Sequence, residues 1–307
     1  MKKNLIILIG LFISTSVRVV AQQDPMFSQY MFNILSINPA YAGSADRLSA
    51  VAIHRSQWVG FEGAPITQTI TAHAPLRYEA LSVGGTIIND KHGPVSQTAI
   101  FADISYRLHF AKSKLAFGLK TGVNLFSANL LDLNPYVDGD QVFTSNISIK
   151  PLPNFGFGAM WYSKRWYVGL SAPRLLQNKL IEGQLPDFTN NKERIHGFLI
   201  AGYVWDINYY VKFKPTILLK AVNGAPPGAD FTANFMLYDK FWIGAMYRWN
   251  DAVGALVQYE INNKFKFGYA YDYIISDLGK YSSGSHELMI GYDFGKGFKG
   301  EVSPRLF

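Results

Sequence analysis

Oily and wet positions alternate residue by residue through much of this chain. In "TAIFADISYRLHF" one set reads Thr98, Ile100, Ala102, Ile104, Tyr106, Leu108 and Phe110, and the other reads Ala99, Phe101, Asp103, Ser105, Arg107 and His109. "KFKFGYAYDY" sets Phe265, Phe267, Tyr269, Tyr271 and Tyr273 against Lys264, Lys266, Gly268, Ala270 and Asp272. "KLAFGLKTGVNLF" sets Leu115, Phe117, Leu119, Thr121 and Val123 against Ala116, Gly118, Lys120, Gly122 and Asn124. Successive side chains on a strand point to opposite faces, so a period of two marks strands with one apolar and one wet face.

Soluble sandwiches alternate too, but their strands usually run about five or six residues. Here the segments reach about ten to thirteen, the length at which a tilted strand crosses the hydrocarbon of a bilayer. The wet face is also small, rich in Gly, Ala and Ser, as a crowded or watery lumen requires. About fourteen such segments follow one another, at 48–58, 65–75, 80–90, 97–110, 113–126, 154–163, 165–172, 195–206, 209–221, 229–238, 240–249, 252–261, 264–274 and 284–294. The predicted fold is all-β: a transmembrane antiparallel β-barrel of about 14 strands. Every second connection is tight, as at Tyr78, 111, 163, 206, 238 and 262, whereas those between are mostly longer, at 60, 90, 127–153 and 173–194; "ND" at 250 is the exception. Short periplasmic turns and long extracellular loops make that pattern, and they put both termini in the periplasm. Trp58, Trp161, Trp166, Trp205, Trp242 and Trp249 near strand ends fit interfacial girdles, or ordinary sheet packing.

Composition agrees with a barrel. Aromatic residues make up 15% and charged residues only 17%, against about a quarter in a typical soluble chain. Residues 1–21 read as a secretory signal peptide, with Lys2 and Lys3, an apolar run of about ten residues, and Val19 and Ala21 before the cut. That run is shorter than the roughly twenty residues of a spanning helix. There is no Cys, hence neither a disulfide nor a lipidated cleavage site. Removing Lys2, Lys3 and Arg18 leaves 26 basic against 22 acidic residues, an excess of +4, too mild to point to nucleic acid. The expected division is a signal peptide at 1–21, an N-terminal plug or periplasmic segment at 22–47, the barrel at 48–294 and a periplasmic tail at 295–307.

Enzyme motifs are weak. "HELMI" at His286 lacks the second His of a zinc helix, "GLSAP" at Gly169 lacks the closing Gly of a nucleophile elbow, and "DGD" at Asp138 reads as a solvated loop before a calcium site. No cofactor or metal is expected and the chain is read as no enzyme, although a triad assembled from distant strands leaves no local motif. The inward charges Asp103, Arg107, Lys120, Arg248 and Glu260 are expected to pair across the lumen, since charge there needs a partner or water.

The stretch "DPMFSQYMFNILSINPAYAGSADR", Asp24 to Arg47, fits neither a clean helix nor an alternating strand. Its Asp24, Pro25, Phe27, Ser28, Gln29, Tyr30, Asn33, Asn38, Pro39, Ala40, Tyr41, Ala42 and Gly43 closely resemble the N-terminal signature of the PorP/SprF family, outer-membrane proteins of the type IX secretion and gliding machinery. In "HRSQWVGFEGAP", Arg55, Gln57, Trp58, Gly60, Phe61, Gly63, Ala64 and Pro65 resemble the family's first hairpin. Asn89, Asp90 and Gly93 resemble its next loop, "SHELMIGYDF" its last strand and "SPRLF" its tail. Between about 127 and 240 the likeness lies in pattern more than in letters.

The resemblance implies a barrel that assists export or surface retention of a secreted protein with a C-terminal export domain, or of an adhesin. It also implies contact with the translocon or with periplasmic ring and motor components. Physically, 24–47 suits a plug: Gln29, Asn33 and Asn38 would bond lumen backbone, Phe27, Tyr30 and Tyr41 would fill space, and Pro25 and Pro39 would end turns. A docking surface for a periplasmic partner is the other reading, and the two can coexist. The loops at 127–153 and 173–194 are candidates for binding at the surface, or mere decoration. A passive or gated transporter resembling long-chain fatty-acid porins remains the alternative function.

Overall fold

A computed structural model describes residues 25–77, 80–132, 146–180, 192–223, 225–262 and 264–295. The expected signal peptide, Asp24, the "DGD" at Asp138 and nearly all of the expected tail lie outside these residues.

Alternation produces the strands where it was read: β1 (Ser49–Ser56), β2 (Ile66–Pro75), β3 (Leu81–His92), β4 (Val95–His109), β5 (Lys114–Ala128), β6 (Ile147–Tyr162) and β7 (Trp166–Ala172). There follow β8 (His196–Tyr203), β9 (Trp205–Asp206), β10 (Val211–Val222), β11 (Gly228–Leu237), β12 (Phe241–Arg248), β13 (Ala252–Ile261), β14 (Phe265–Ile274) and β15 (Ser285–Asp293). β9 continues β8 past a break at Val204, and both pair with β10, so the ring has fourteen staves. Each stave pairs antiparallel with the next, and β15 returns to β1 from Ser49↔Asp293 to Ser56↔His286. Closure leaves no sheet edge facing lipid, which the lack of water there demands.

The two faces are the reverse of a soluble protein's. Ile70, Ile104, Leu119 and Leu170 stand outward, 56, 57, 64 and 58% exposed, while Asp103, Ser105, Arg107 and Lys120 between them are buried inside. An apolar belt around a polar interior is stable only when lipid covers the belt. Trp161, Trp205 and Trp249 are exposed on the outside, and Trp161 meets Trp166 edge-on at 5.0 Å. Trp242 departs from the girdle reading: it is 3% exposed and faces the lumen, because its neighbours Phe241 and Ile243 take the outward parity.

The connections β2–β3, β4–β5, β6–β7, β9–β10, β11–β12 and β13–β14 lie at one rim, where Phe294 N donates to Leu48 O at 2.8 Å. The opposite rim is less regular than expected. The "DKHGPVS" connection is no loop, since β3 and β4 pair out to His92↔Val95 and leave only Gly93 and Pro94 between them. Its polar letters are used along the ladder instead: Thr67 donates to Asp90 at 2.5 Å, and His92 Nδ1 lies 3.0 Å from the Asp90 carboxylate. The loop expected at 127–153 is also shorter, because β5 runs to Ala128 and β6 starts at Ile147. Pro151 and Pro153 are tolerated in β6 because the carbonyls of Pro153 and Phe155 face away from β5, toward Asn178 and Leu175. At that parity no N–H is needed by the β5 ladder, and proline blunts the side that β7 is too short to cover.

Candidate functional site

The chain from Pro25 to Leu48 lies inside the barrel. From Phe27 to Arg47 every residue is buried except Phe32 and Ala45. It folds as three short 3-10 turns, Tyr30–Phe32, Ile34–Ser36 and Pro39–Tyr41. Asn33 separates the first two, and Asn38 with Pro39 starts the third: Pro39 stands at its first position and the Asn38 side chain accepts from Ala40 N at 3.0 Å. Turns this short leave many backbone groups without local partners, so the wall must supply them.

It does so around the whole ring. Glu287 on β15 accepts from the amides of Ser28 and Gln29, both at 2.8 Å. Arg55 on β1 donates to Ser28 Oγ at 2.6 Å, to Glu287 at 3.0 Å and to Asp272 on β14 at 2.7 Å, and Ser28 Oγ donates to Asp272 at 2.5 Å. Tyr30 donates to Asp230 O at 3.4 Å. Thr71 donates to the Asn33 side chain at 2.7 Å, and Ser171, the serine of "GLSAP", donates to Ile37 O at 2.8 Å. Asn38 donates to Ala159 O at 3.2 Å and Leu170 O at 3.4 Å. Gly43 N donates to His73 Nδ1 at 3.0 Å, and Arg107 donates to Gly43 O at 3.1 Å and Asp46 at 2.9 Å. Tyr41 meets the His73 ring edge-on at 5.3 Å.

Apolar packing fills what remains. Tyr30, Met31, Ile34, Leu35, Ile37 and Tyr41 join wall residues such as Met160, Tyr162, Tyr167, Phe198 and Leu218 in one cluster, and Phe27 packs with Ile53 and Met289. Two wall glycines permit the approach: a Cβ on Gly118 would lie 2.2 Å from Ala40 N, and one on Gly158 would lie 2.1 Å from Asn38 Oδ1. Small wall residues therefore face a bulky inner segment.

Four of the five inward charges, Asp103, Arg107, Lys120 and Arg248, pair along the wall or with the inner segment. Asp103 and Lys120 are register partners 3.1 Å apart, and Arg107 meets Asp46. Arg248 reaches Asp230 at 3.4 Å, Asp251 at 3.5 Å and Asp272 at 3.8 Å. Glu260 borders a cavity by the short-turn rim. Lys214 on β10 faces the rings of Phe32, Trp242 and Tyr167, at 5.3, 5.6 and 5.9 Å from their centroids.

Of the hairpin residues only Arg55 enters the lumen. Gln57 N donates to Pro65 O at 2.9 Å, closing the β1–β2 loop. Trp58 N donates to Ser285 Oγ at 3.2 Å; Trp58 has φ 47° and Gly60 φ 96°, while Phe61 at the tip is exposed. This loop is stitched to the one before β15 through Val59 N to Gly284 O at 2.8 Å. The long loop after β7 is also fixed in part. Glu193, buried, accepts from Asn178 at 2.7 Å, Asn124 at 3.2 Å and Asn154 at 3.3 Å, and Asn154 Oδ1 accepts from the amides of Leu175 and Leu176, each at 3.0 Å.

Sequence reasoning did not single out Glu287, Asp46, Asp230 or Glu193 as partners. For Glu287 and Asp230 the signal was strand parity; for Asp46 and Glu193 there was none. His286, the histidine of "HELMI", stands 2.7 Å from the Tyr269 hydroxyl, and its ring lies 5.1 Å from the Tyr271 ring, tilted at 53°. Among the described residues no group of three or more His, Asp or Glu could hold a metal ion.

A family model described as "Type IX secretion system membrane protein PorP/SprF" matches residues 19–292. No curated protein matches the chain. Among solved structures, the Acinetobacter baumannii outer membrane protein Omp33 is similar at 9% identity and TM-score 0.47, over 81% of this chain and 100% of that one. The KdgM porin is similar at 8% identity and TM-score 0.37, over 80% and 99%.

Proposed function

This chain belongs to the PorP/SprF family of type IX secretion system membrane proteins, and on that premise we propose a non-enzymatic, plugged outer-membrane barrel that assists export or surface retention of a partner protein. The partner is a secreted protein with a C-terminal export domain or an adhesin, met together with the translocon or with periplasmic ring and motor parts. The observation that carries this reading is the inner segment, bonded to the wall through Glu287, Arg55, Ala159, Ser171 and Arg107 and buried from Phe27 to Arg47 but for Phe32 and Ala45. A diffusion pore keeps a watery lumen, whereas this one is filled; the work then falls to the rims.

In this reading the short-turn rim, with Leu48 and Phe294, faces the periplasm, residues 1–21 are removed on export, and the tail from 295 stays periplasmic. The rim of the β1–β2, β5–β6 and β7–β8 loops faces outward. The test is gentle extraction of the native protein and mass spectrometry of what accompanies it. One large secreted protein recovered in stoichiometric amount is expected; recovery of the barrel alone refutes the role. The gated-transporter reading draws on the same plug, which such a channel would need, and on the cavity beside it. Steady conductance in planar bilayers, or liposome swelling with a solute, would favour it.

A further inference from the structure

A cavity of about 420 Å³ opens beside the inner segment at the short-turn rim, with the turn residues Lys164 and Asp239 at its border. That is the size of a small-ligand site. Its two walls belong to different parts of the chain. The barrel contributes Met236, Trp242, Gln258 and Lys266, and the inner segment contributes Phe32, Asn33 and Ala45. Phe32 and Ala45 are the only residues from Phe27 to Arg47 that escape burial, and both border this space. Between Phe27 and Arg47 the inner segment is thus closed against the wall except where it offers a surface here.

Three features specify an occupant. Apolar lining from Phe32, Trp242, Met236 and Met289 suits an aromatic or aliphatic side chain. Arg47, Lys164, Lys212 and Lys266 outnumber the acids Asp239, Glu260 and Asp293, and Lys212 and Lys266 already pair with Asp239 and Asp293, which favours an acidic ligand. Last, Asn33 Nδ2 and Gln258 Oε1 are buried on this lining with no hydrogen-bond partner among the described residues. One is a donor and the other an acceptor, and a buried polar atom without a partner is costly. A peptide unit offers a carbonyl to the first and an N–H to the second; a fatty anion offers only acceptors.

We propose that this vestibule is a receptor for a short, extended, acidic stretch of polypeptide bearing an aromatic or aliphatic side chain, read jointly by the inner segment and the barrel wall. The inference deepens the assistant role proposed above and rests on it for the source of the peptide. Occupancy presses on Phe32 and Asn33, so ligand and inner segment are thermodynamically coupled.

The test uses the full chain in nanodiscs and a fluorescein-labelled Glu-Phe-Asp-Phe peptide, followed by anisotropy. Saturable binding, displaced by unlabelled peptide, is expected. Gln258→Met removes the unpartnered oxygen and should weaken binding about tenfold without lowering the urea midpoint. Gly291→Leu should abolish binding, since a Cβ there meets Lys266 at an ordinary 3.4 Å and the rest of the side chain grows into the cavity. No saturable binding by the wild-type chain, or equal binding by all three, overturns the proposal. Binding of decanoate but not of the peptide overturns it in favour of a fatty anion. A large partner that co-purifies equally well with Gly291→Leu sinks the vestibule and leaves the role standing; peptide binding with no co-purifying partner does the opposite.

Discussion

Arg55→Leu tests the lumen chemistry most directly. The guanidinium is 1% exposed and holds Asp272 at 2.7 Å and Glu287 at 3.0 Å, both essentially inaccessible to water. Leucine would leave two carboxylates in a crowded interior, and breaking a buried pair this way costs about 3–5 kcal/mol. Neither acid is stripped bare, however. Asp272 keeps the Ser28 hydroxyl at 2.5 Å and Arg248 at 3.8 Å, while Glu287 keeps two amides at 2.8 Å. The lower end, about 3 kcal/mol, is therefore expected. With a urea slope of about 1–3 kcal/mol/M, the midpoint should fall by about 1–3 M, read from the mobility of unheated folded barrel on gels. Protease cleavage between residues 25 and 47 should appear before the barrel itself unfolds, because Arg55 ties Ser28 to the wall. Adding Asp272→Asn should return part of the loss, one stranded charge being removed. An unchanged midpoint, or a double variant no better than the single, would refute the claim that this ion cluster anchors the inner segment.

Three further outcomes are expected. Ile104→Arg places a cation on the lipid face and should destabilise assembly by about 2–4 kcal/mol near the midplane; Ser105→Arg, on the wet face, should be no milder, since Ser105 donates to Ala40 O at 3.3 Å and the lumen there is filled. Midpoints in vesicles decide, and a neutral Ser105→Arg would contradict the packed lumen. Gly118→Val drives a side chain into Ala40 and should expose 25–47 to protease while the barrel stays resistant; full protection would show that the segment can shift at little cost. Glu193→Ala removes the acceptor shared by Asn124, Asn154 and Asn178, should cost about 1–3 kcal/mol, and should speed cleavage after Ala172 on whole cells; unchanged cleavage would mean the loop is held otherwise.

The wall was legible because a barrel strand needs only one rule, alternate lipid and lumen, and that rule is written locally. It placed Asp103, Arg107 and Lys120 inside and Ile104 outside with no knowledge of neighbours. Departures have local causes as well: Trp242 follows the parity of Phe241 and Ile243 over the habit of tryptophan at interfaces, and Asp90 and His92 of "DKHGPVS" serve the ladder where a loop was expected. Partner choice was not legible. Arg55 meets Ser28, Asp272 and Glu287 across separations of 27, 217 and 232 residues, contacts that exist only once β15 has closed on β1. Resemblance marked Arg55 and the inner segment as special and gave no partner for either.

The opening segment has no period because its conformation is dictated from outside. A helix satisfies its own backbone and a strand borrows from one neighbour, but three 3-10 turns in a lumen borrow from β1, β2, β4, β7, β14 and β15 at once. Each loan needs a particular letter on both sides: an amide or hydroxyl inside, an acid, threonine or glycine on the wall. A change on one side strands a buried group on the other, where no water stands in for it. The segment and the wall must therefore fold as one object, with the ring closing around a chain already in place or the chain entering before the Arg55 cluster forms. Either order leaves the barrel without residues 25–47 with Arg107 short of Asp46, Glu287 short of two amides and the apolar lumen wall uncovered, so their deletion should lower the barrel's urea midpoint by more than Arg55→Leu alone, and an equal or smaller shift would mean the wall is complete without its filling.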